Sequence, residues 1–450
     1  MREDLRARYG DERLPRYTSY PPSPHFTAGV GAATYADWLR DLPAGAAASL
    51  YLHVPFCRAM CWYCGCHTSI TRHDGPIADY VALLRQEIDL VAARLDAPPP
   101  VRHIHFGGGT PTVMTPADFA GLIAALRARF PVDPAAEIAV EIDPRTLVPE
   151  MAAALGRVGV NRASLGVQSF DPVVQEAIRR RQGFEATASA AAALRAAGVR
   201  GINLDLIYGL PHQTVAACVD TVLRCLELRP DRFAVFGYAH VPAFKKHQRH
   251  IDADTLPDGS ARQAQADAIA DTLARAGYRR IGLDHYALPG DPMAVAQRQG
   301  RLRRNFQGYT TDESEVLIGL GASSIGRLPQ GFVQNAPALR DYAQRIGAGA
   351  LAACKGYALT PEDRLRAELI ERIMCDFAVD VGRICRHHGR DPLTLLAALP
   401  RLESLVADGL VRREGPVLRV PDEARMFIRT VASAFDAYLG TSGAVHSRAA

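Results

Sequence analysis

Four cysteines fall within ten residues in Cys57-Arg-Ala-Met-Cys61-Trp-Tyr-Cys64-Gly-Cys66. Cys57, Cys61 and Cys64 are spaced C-x3-C-x2-C, a loop short enough to bring three thiolates to one face of an iron–sulfur cluster. Soft thiolates suit such clusters, and a closed site takes four of them. Three ligands leave one iron open, and an open metal position serves chemistry rather than scaffolding. Structural zinc would need a second Cys or His pair at finger-like distance, and none follows. The spacing also differs from both ferredoxin patterns, and disulfide frameworks belong to small secreted chains. The open cluster is the reading adopted here.

A second signal is Gly107-Gly-Gly-Thr-Pro, directly after an apolar run. Glycines let backbone approach a ligand closely and leave N–H and C=O groups free to bind it. No Gly-Lys-Ser/Thr follows, so this is not a P-loop; a tight structural turn is the competing reading. Glu141, Gln168, Arg180 and Asp205 add the mixed charges that a zwitterionic nucleoside needs, although each alone is more often an ordinary ion-paired residue.

The elements that must position these residues are visible as six apolar runs: 49–54, 102–106, 137–142, 162–167, 201–207 and 232–238. Helix-like segments alternate with them at 77–95, 116–130, 148–158, 172–197 and 215–228. Strict alternation predicts parallel β/α units with right-handed crossovers. The polar candidates sit at or just past the C-terminal ends of the runs, the active face of a β/α barrel. A doubly wound sheet would need only two such loops. The expected fold is therefore α/β, a partial (β/α)6 TIM-like barrel. A helix over 260–276 and a strand over 278–283 follow, then an irregular stretch. From Thr360 the pattern turns helical, with helices over 365–375, 393–408 and 422–439 and a hairpin over 410–420. The expected domains are a 1–47 arm, a 48–280 barrel, a 281–358 substrate-facing extension and a 359–450 winged-helix-like lid.

The 450 residues suffice for a large domain with smaller ones beside it, and the net charge of +4 is too small to argue for nucleic acid. No run approaches the roughly 18 apolar residues that span a bilayer. Nine cysteines and a charged start without an apolar signal core fit a reducing cytoplasm. Cys218, Cys225, Cys354, Cys375 and Cys385 are expected as buried thiols. Basic character is almost all Arg, since Lys occurs only as Lys245, Lys246 and Lys355.

The stretch Tyr51-Leu-His-Val-Pro-Phe-Cys-Arg-Ala-Met-Cys-Trp-Tyr-Cys-Gly-Cys66 resembles the signature of radical S-adenosylmethionine (SAM) enzymes. More narrowly, the chain is similar to the oxygen-independent coproporphyrinogen III oxidases. The resemblance includes Arg16-Tyr-Thr-Ser-Tyr-Pro21, His105-Phe-Gly-Gly-Gly-Thr-Pro-Thr112, Val140-Glu-Ile-Asp-Pro144 and Ser164-Leu-Gly-Val-Gln-Ser-Phe170. It continues through Asn203-Leu-Asp-Leu-Ile-Tyr-Gly-Leu-Pro211 and Tyr238-Ala-His240 to Asn305-Phe-Gln-Gly-Tyr-Thr-Thr311. A related haem-trafficking chaperone usually has a residue such as Phe where Cys66 stands, and usually lacks the arm and the last motif. A methyltransferase or cyclopropane-forming radical SAM enzyme is the third reading.

The resemblance implies one [4Fe–4S] cluster on Cys57, Cys61 and Cys64, with SAM on the fourth iron. It implies a SAM pocket lined by Tyr51, Tyr63, Gly108, Gly109, Thr110, Glu141, Gln168, Arg180, Asp205, Ala239 and Ile325. Members of the family can hold a second SAM, which some of these positions can serve. Cys66, with Tyr51, is the candidate for a catalytic contact near substrate or the second SAM; a packed free thiol is the bland account of Cys66. The implied reaction turns two propionates of coproporphyrinogen III into vinyls through a 5′-deoxyadenosyl radical, giving protoporphyrinogen IX. The implied partners are that substrate and a reductant protein such as flavodoxin or ferredoxin. Monomer is the default expectation. Arg301, Arg303 and Arg304 form the best local cluster for propionates, or else a solvated basic turn.

Overall fold

A computed structural model describes residues 5, 8–10 and 12–440. The chain divides into two compact units: Thr27–Ala276 with Ser314–Ala358, and Met1–Phe26 with Gly277–Glu313 and Leu359–Ala450. The four-part division expected from sequence differs, because 281–358 is shared between the units.

The first unit is built on the predicted runs, each extended or trimmed by a few residues. They are β1 (Ala48–Val54), β2 (Val101–Gly108), β3 (Val132–Ile142), β4 (Arg162–Gln168), β5 (Gly201–Tyr208) and β6 (Arg232–Gly237). Each pairs in parallel with the next in chain order. A doubly wound sheet reverses its order at a switch point; this one does not, as a partial barrel requires. A strand missed in the sequence, β7 (Val316–Leu320), pairs in parallel with β1 on its other side. Its run is short and wholly apolar, and only its partner distinguishes it from a loop. Strands β8 (Ile325–Leu328), β9 (Gly331–Asn335) and β10 (Ala353–Ala358) continue the sheet antiparallel.

Crossovers run through α1 (Gly75–Ala92), α2 (Pro116–Arg129), α3 (Pro149–Arg157), α4 (Phe184–Ala196) and α5 (Val215–Glu227). Ile77, Tyr80, Val81, Leu84, Ile88 and Val91 give α1 its buried stripe, at spacings of three and four. Thr115 caps α2 by accepting from Asp118 N at 3.1 Å, and Thr214 caps α5 from Ala217 N at 3.1 Å. The helix expected over 172–197 is instead two, Pro172–Ala177 and α4, because Arg179 takes a left-handed φ of 53°. That break lets Arg180 turn inward.

In the second unit the N-terminal segment is not a free extended arm. Tyr9, Tyr17 and Tyr20 lie in its hydrophobic core, and the Tyr17 hydroxyl donates to Asp436 Oδ2 at 3.0 Å. The rest of the expected arm, 27–47, belongs to the first unit, where Ala32–Arg40 are helical. The C-terminal part holds α6 (Pro361–Asp376) and α7 (Val381–His387), the second unforeseen. The helix expected over 393–408 is split in two at Pro400, which cannot continue a helix. The 422–439 helix is replaced by short 3-10 turns around Ile428–Ala432. Ala378–Asp380 joins the expected hairpin to make a three-stranded antiparallel sheet.

Candidate active site

Period-two alternation creates the polar face of the barrel. In β4 the buried Ala163, Leu165 and Val167 alternate with half-buried Ser164, Gly166 and Gln168. In β5, Asn203 and Asp205 take the same face. There Ser164 Oγ donates to Asp205 Oδ2 at 2.9 Å, and Asn203 Nδ2 donates to Asp205 Oδ1 at 2.7 Å. Gly166 is the register partner of Asp205, and its carbonyl accepts from Arg180 Nη2 at 2.7 Å. A Cβ on Gly166 would lie 3.0 Å from Gln168 Nε2 and 3.1 Å from Arg180 Nη2, so these two side chains meet over it. Gln168 itself ends the strand with a φ of 70°.

A second line runs across β1, β2 and β3. The rings of Tyr51 and His105 stack with centroids 5.8 Å apart, and His105 Nε2 lies 3.3 Å from Glu141 Oε1. His53 Nε2 is 2.9 Å from the His67 carbonyl, which can only accept. Nε2 therefore carries the proton, and the neutral ring, its pKa pushed down by burial, accepts from the Tyr51 hydroxyl at Nδ1, 3.0 Å away. Burial would raise the pKa of Glu141, but the hydrogen bond and charge of His105 and the N–H of Gly108 outweigh it, holding the carboxyl below its usual range. Ile325 reaches this line through Gly319, the register partner of Tyr51: a Cβ there would lie 2.9 Å from the Ile325 carbonyl carbon.

The glycine run behaves differently from the expectation of free backbone groups. Gly108 N–H donates to Glu141 Oε2 at 3.1 Å, Gly109 N–H to Val54 O at 2.9 Å and Thr110 N–H to Phe56 O at 2.8 Å. All three donors are spent within the protein. A Cβ on Gly109 would meet Phe56 O at 2.5 Å, so the residue is small because the cysteine-bearing loop crowds it.

The sulfurs are met by donors. Thr110 Oγ1 and Thr68 Oγ1 each lie 3.4 Å from Cys57 Sγ. Arg145 Nη2 and Arg180 Nη1 each lie 3.5 Å from Cys61 Sγ. Burial raises the Cys57 thiol, the two threonine hydroxyls oppose it, and the charges of Cys64 and Cys61 raise it further. The side-chain hydrogen bond from Cys66 leads in bringing Cys64 down to about 6, which favours its thiolate. Cys66 is exposed, and its backbone N–H donates to Cys64 Sγ at 3.4 Å. Of the five outlying cysteines four are buried, while Cys354 is only half-buried.

Asp143 is among the polar residues that the sequence places at the strand ends, whereas Arg145 and three residues after β6 carry no such signal. Asp143 binds Arg145 at 2.6 Å and Arg180 at 3.3 Å. Burial would raise its pKa, but Arg145 and Arg180 hold it below the usual carboxylate range. Lys245 Nζ donates to Cys66 O at 2.9 Å, His247 Nε2 to Cys64 O at 2.7 Å and Gln248 Nε2 to Tyr63 O at 2.9 Å. Gln248 also reaches Ala239 O at 3.3 Å, tying that position to the loop. Asp143 follows Glu141 by two residues, just past the end of β3. Nothing local marks the other contacts.

Comparison with known proteins places this geometry. Residues 51–225 match the radical SAM superfamily and residues 359–427 the HemN C-terminal domain. The oxygen-independent coproporphyrinogen III oxidase of Bradyrhizobium diazoefficiens is 62% identical over 449 residues, covering 100% of both chains. The chain belongs to the oxygen-independent coproporphyrinogen III oxidase family. The Paracoccus denitrificans member is 44% identical, with 98% of this chain and 97% of that one covered. The solved structure of coproporphyrinogen III oxidase (HemN) from Escherichia coli, described as a radical SAM enzyme, superposes with a TM-score of 0.90 at 36% identity, covering 94% of this chain and 97% of that one.

Membership of this family brings a [4Fe–4S] cluster and SAM, and the residues present fit them. The thiols of Cys57, Cys61 and Cys64 are unbridged, and hydroxyl or guanidinium donors point at two of their sulfurs. The Nε of Arg180, a residue 5% exposed, is buried without a partner in the ligand-free chain. No helix among the described residues is long and apolar enough to cross a membrane.

In the second unit the expected propionate cluster is already engaged. Arg301 pairs with Glu313, and Arg303 Nη1 lies 3.3 Å from Glu371 Oε2. Arg304 lies over the Tyr309 ring, 4.4 Å from its centroid, but keeps Nε and Nη1 buried without partners. Phe306 and Gln307 form the turn of the Arg303–Asn305 and Gly308–Thr310 hairpin.

Proposed function

We propose that this chain carries out the anaerobic oxidative decarboxylation of two propionates of coproporphyrinogen III to vinyl groups, giving protoporphyrinogen IX. The observation that carries the proposal is similarity along the full length to proteins of that activity, 62% identity over 449 residues. Each propionate loses a β-hydrogen atom, carbon dioxide and one electron. Cys57, Cys61 and Cys64 hold three irons of the cluster; bound there, cluster and SAM supply the hydrogen-abstracting radical. Thr68, Thr110, Arg145 and Arg180 stabilise the anionic sulfurs through hydrogen bonds and charge. Tyr51, Tyr63, Gly108, Gly109, Thr110, Gln168, Ala239 and Ile325 line the nucleoside site. Glu141 and Asp205, both acceptors, take hydroxyl groups there, and Arg180 offers its spare N–H to an anionic group. Cys66 is left outside the cluster, as the candidate contact to substrate or a second SAM. The electron donor is a low-potential protein such as flavodoxin or ferredoxin, and the protein works in the cytoplasm as a monomer.

Anaerobic turnover with SAM, a reductant and coproporphyrinogen III tests this. Vinyl product appearing with 5′-deoxyadenosine is expected, and Cys57→Ala abolishes both. Cleavage of SAM without vinyl product would reassign the substrate, and stoichiometric haem binding without cleavage would point to the chaperone reading.

A further inference from the structure

We propose that Glu368, His387 and His388 form a site for a divalent transition-metal ion of the zinc class, separate from the cysteine loop. Glu368 lies on α6, His387 ends α7, and His388 is the residue at which the chain leaves that helix. Gly389 follows with a φ of 64°, a left-handed stop that only glycine adopts at no cost. Leu365, Leu369, Ile384 and Cys385 belong to one buried cluster, so packing fixes the two helices that carry the donors.

The three donor atoms lie within 4.8 Å of one another. His388 Nε2 is 2.9 Å from Glu368 Oε2, and His387 Nδ1 is 3.5 Å from the same oxygen. The two imidazoles meet edge to face, with centroids 5.0 Å apart at 69°. An ordinary ion pair needs one histidine; here both present a ring nitrogen to one carboxylate oxygen. Tetrahedral zinc with bonds of about 2.1 Å holds its ligand atoms about 3.4 Å apart. The His387 separation already matches, and that of His388 needs to open by about half an ångström. For a metal to take Nε2, the proton that His388 now shares with Glu368 moves to Nδ1 in the other neutral tautomer. Two imidazoles and a carboxylate suit zinc, cobalt or nickel rather than calcium or magnesium. His387 is 72% exposed, which leaves the remaining coordination positions to water. The ion would staple α6 to α7.

The test uses untagged full-length protein with its cluster assembled, stripped of loosely bound metal and titrated with zinc by calorimetry. One equivalent is expected. His387→Ala, on an exposed side chain, and Glu368→Gln should each weaken binding on the order of 10–100-fold, whereas Cys66→Ser leaves it unchanged. Zinc should raise the melting temperature of the parent and not of His387→Ala. No binding by the loaded protein overturns the proposal, as does binding that survives His387→Ala or disappears with Cys66→Ser.

Discussion

Arg145 and Arg180 converge on Cys61 Sγ while sharing Asp143, so one carboxylate holds two guanidiniums against one sulfur. Donors to cluster sulfurs stabilise the reduced form. Arg145→Ala should therefore leave the cluster in place and lower its reduction potential by an amount on the order of tens of millivolts, read by a redox titration followed by electron paramagnetic resonance. Asp143→Ala differs in kind, because it leaves two guanidiniums, one of them buried, with only the sulfur as counter-charge. It is expected to cost about 3 kcal/mol of stability, measured by anaerobic urea unfolding. An unfolding midpoint equal to that of the parent would mean that Arg145 and Arg180 find other partners.

At the scale of elements, the cysteine loop is held from outside by the segment after β6. Lys245, His247 and Gln248 each donate to a loop carbonyl, and the rings of Trp62 and His250 stack 5.0 Å apart. Each such hydrogen bond contributes about 1 kcal/mol net, too little to decide the fold but enough to bias a short loop. The double substitution Lys245→Ala with His247→Ala should keep the melting temperature of the cluster-free protein within a few degrees of the parent. The cluster should be lost faster to a chelator, followed by its visible absorbance. Equal loss rates would remove the clasp from the account. The break at Arg179 belongs to the same scale: apolar spacing across 172–197 reads as one helix, and no periodicity records that Arg180 is 5% exposed and must turn toward Asp143.

At the scale of the molecule, Glu87 joins distant segments of the first unit. It sits in the apolar stripe of α1 and accepts from Asn335 Nδ2 at 2.6 Å, Gly321 N at 2.6 Å and Tyr342 OH at 2.7 Å. Burial pushes its pKa up to about 7 against the opposing hydrogen bonds from Gly321, Tyr342 and Asn335. A native pKa above the unfolded value means that the folded state binds more protons between the two. The stabilisation from Glu87 is thus full below the unfolded carboxylate range and is lost as pH rises through about 7. Unfolding free energies at about pH 5 and pH 8 should differ by roughly 3 kcal/mol more in the parent than in Glu87→Gln. Other titrating groups cancel in that comparison, and equal pH slopes would refute the shift. By itself the sequence determined the six-unit barrel, the cysteine loop and the strand-end positions of Glu141 and Gln168. Period two, apolar spacing and short-range motifs are local properties that the chain carries wherever it goes. Only tertiary structure decided that β7 joins β1, that the N–H groups of the glycine run are spent on Glu141 and the cysteine loop, and that Asp143 and Arg145 stand at Cys61. Those outcomes depend on which distant segment fills a given space, and neighbouring residues in the chain do not encode that.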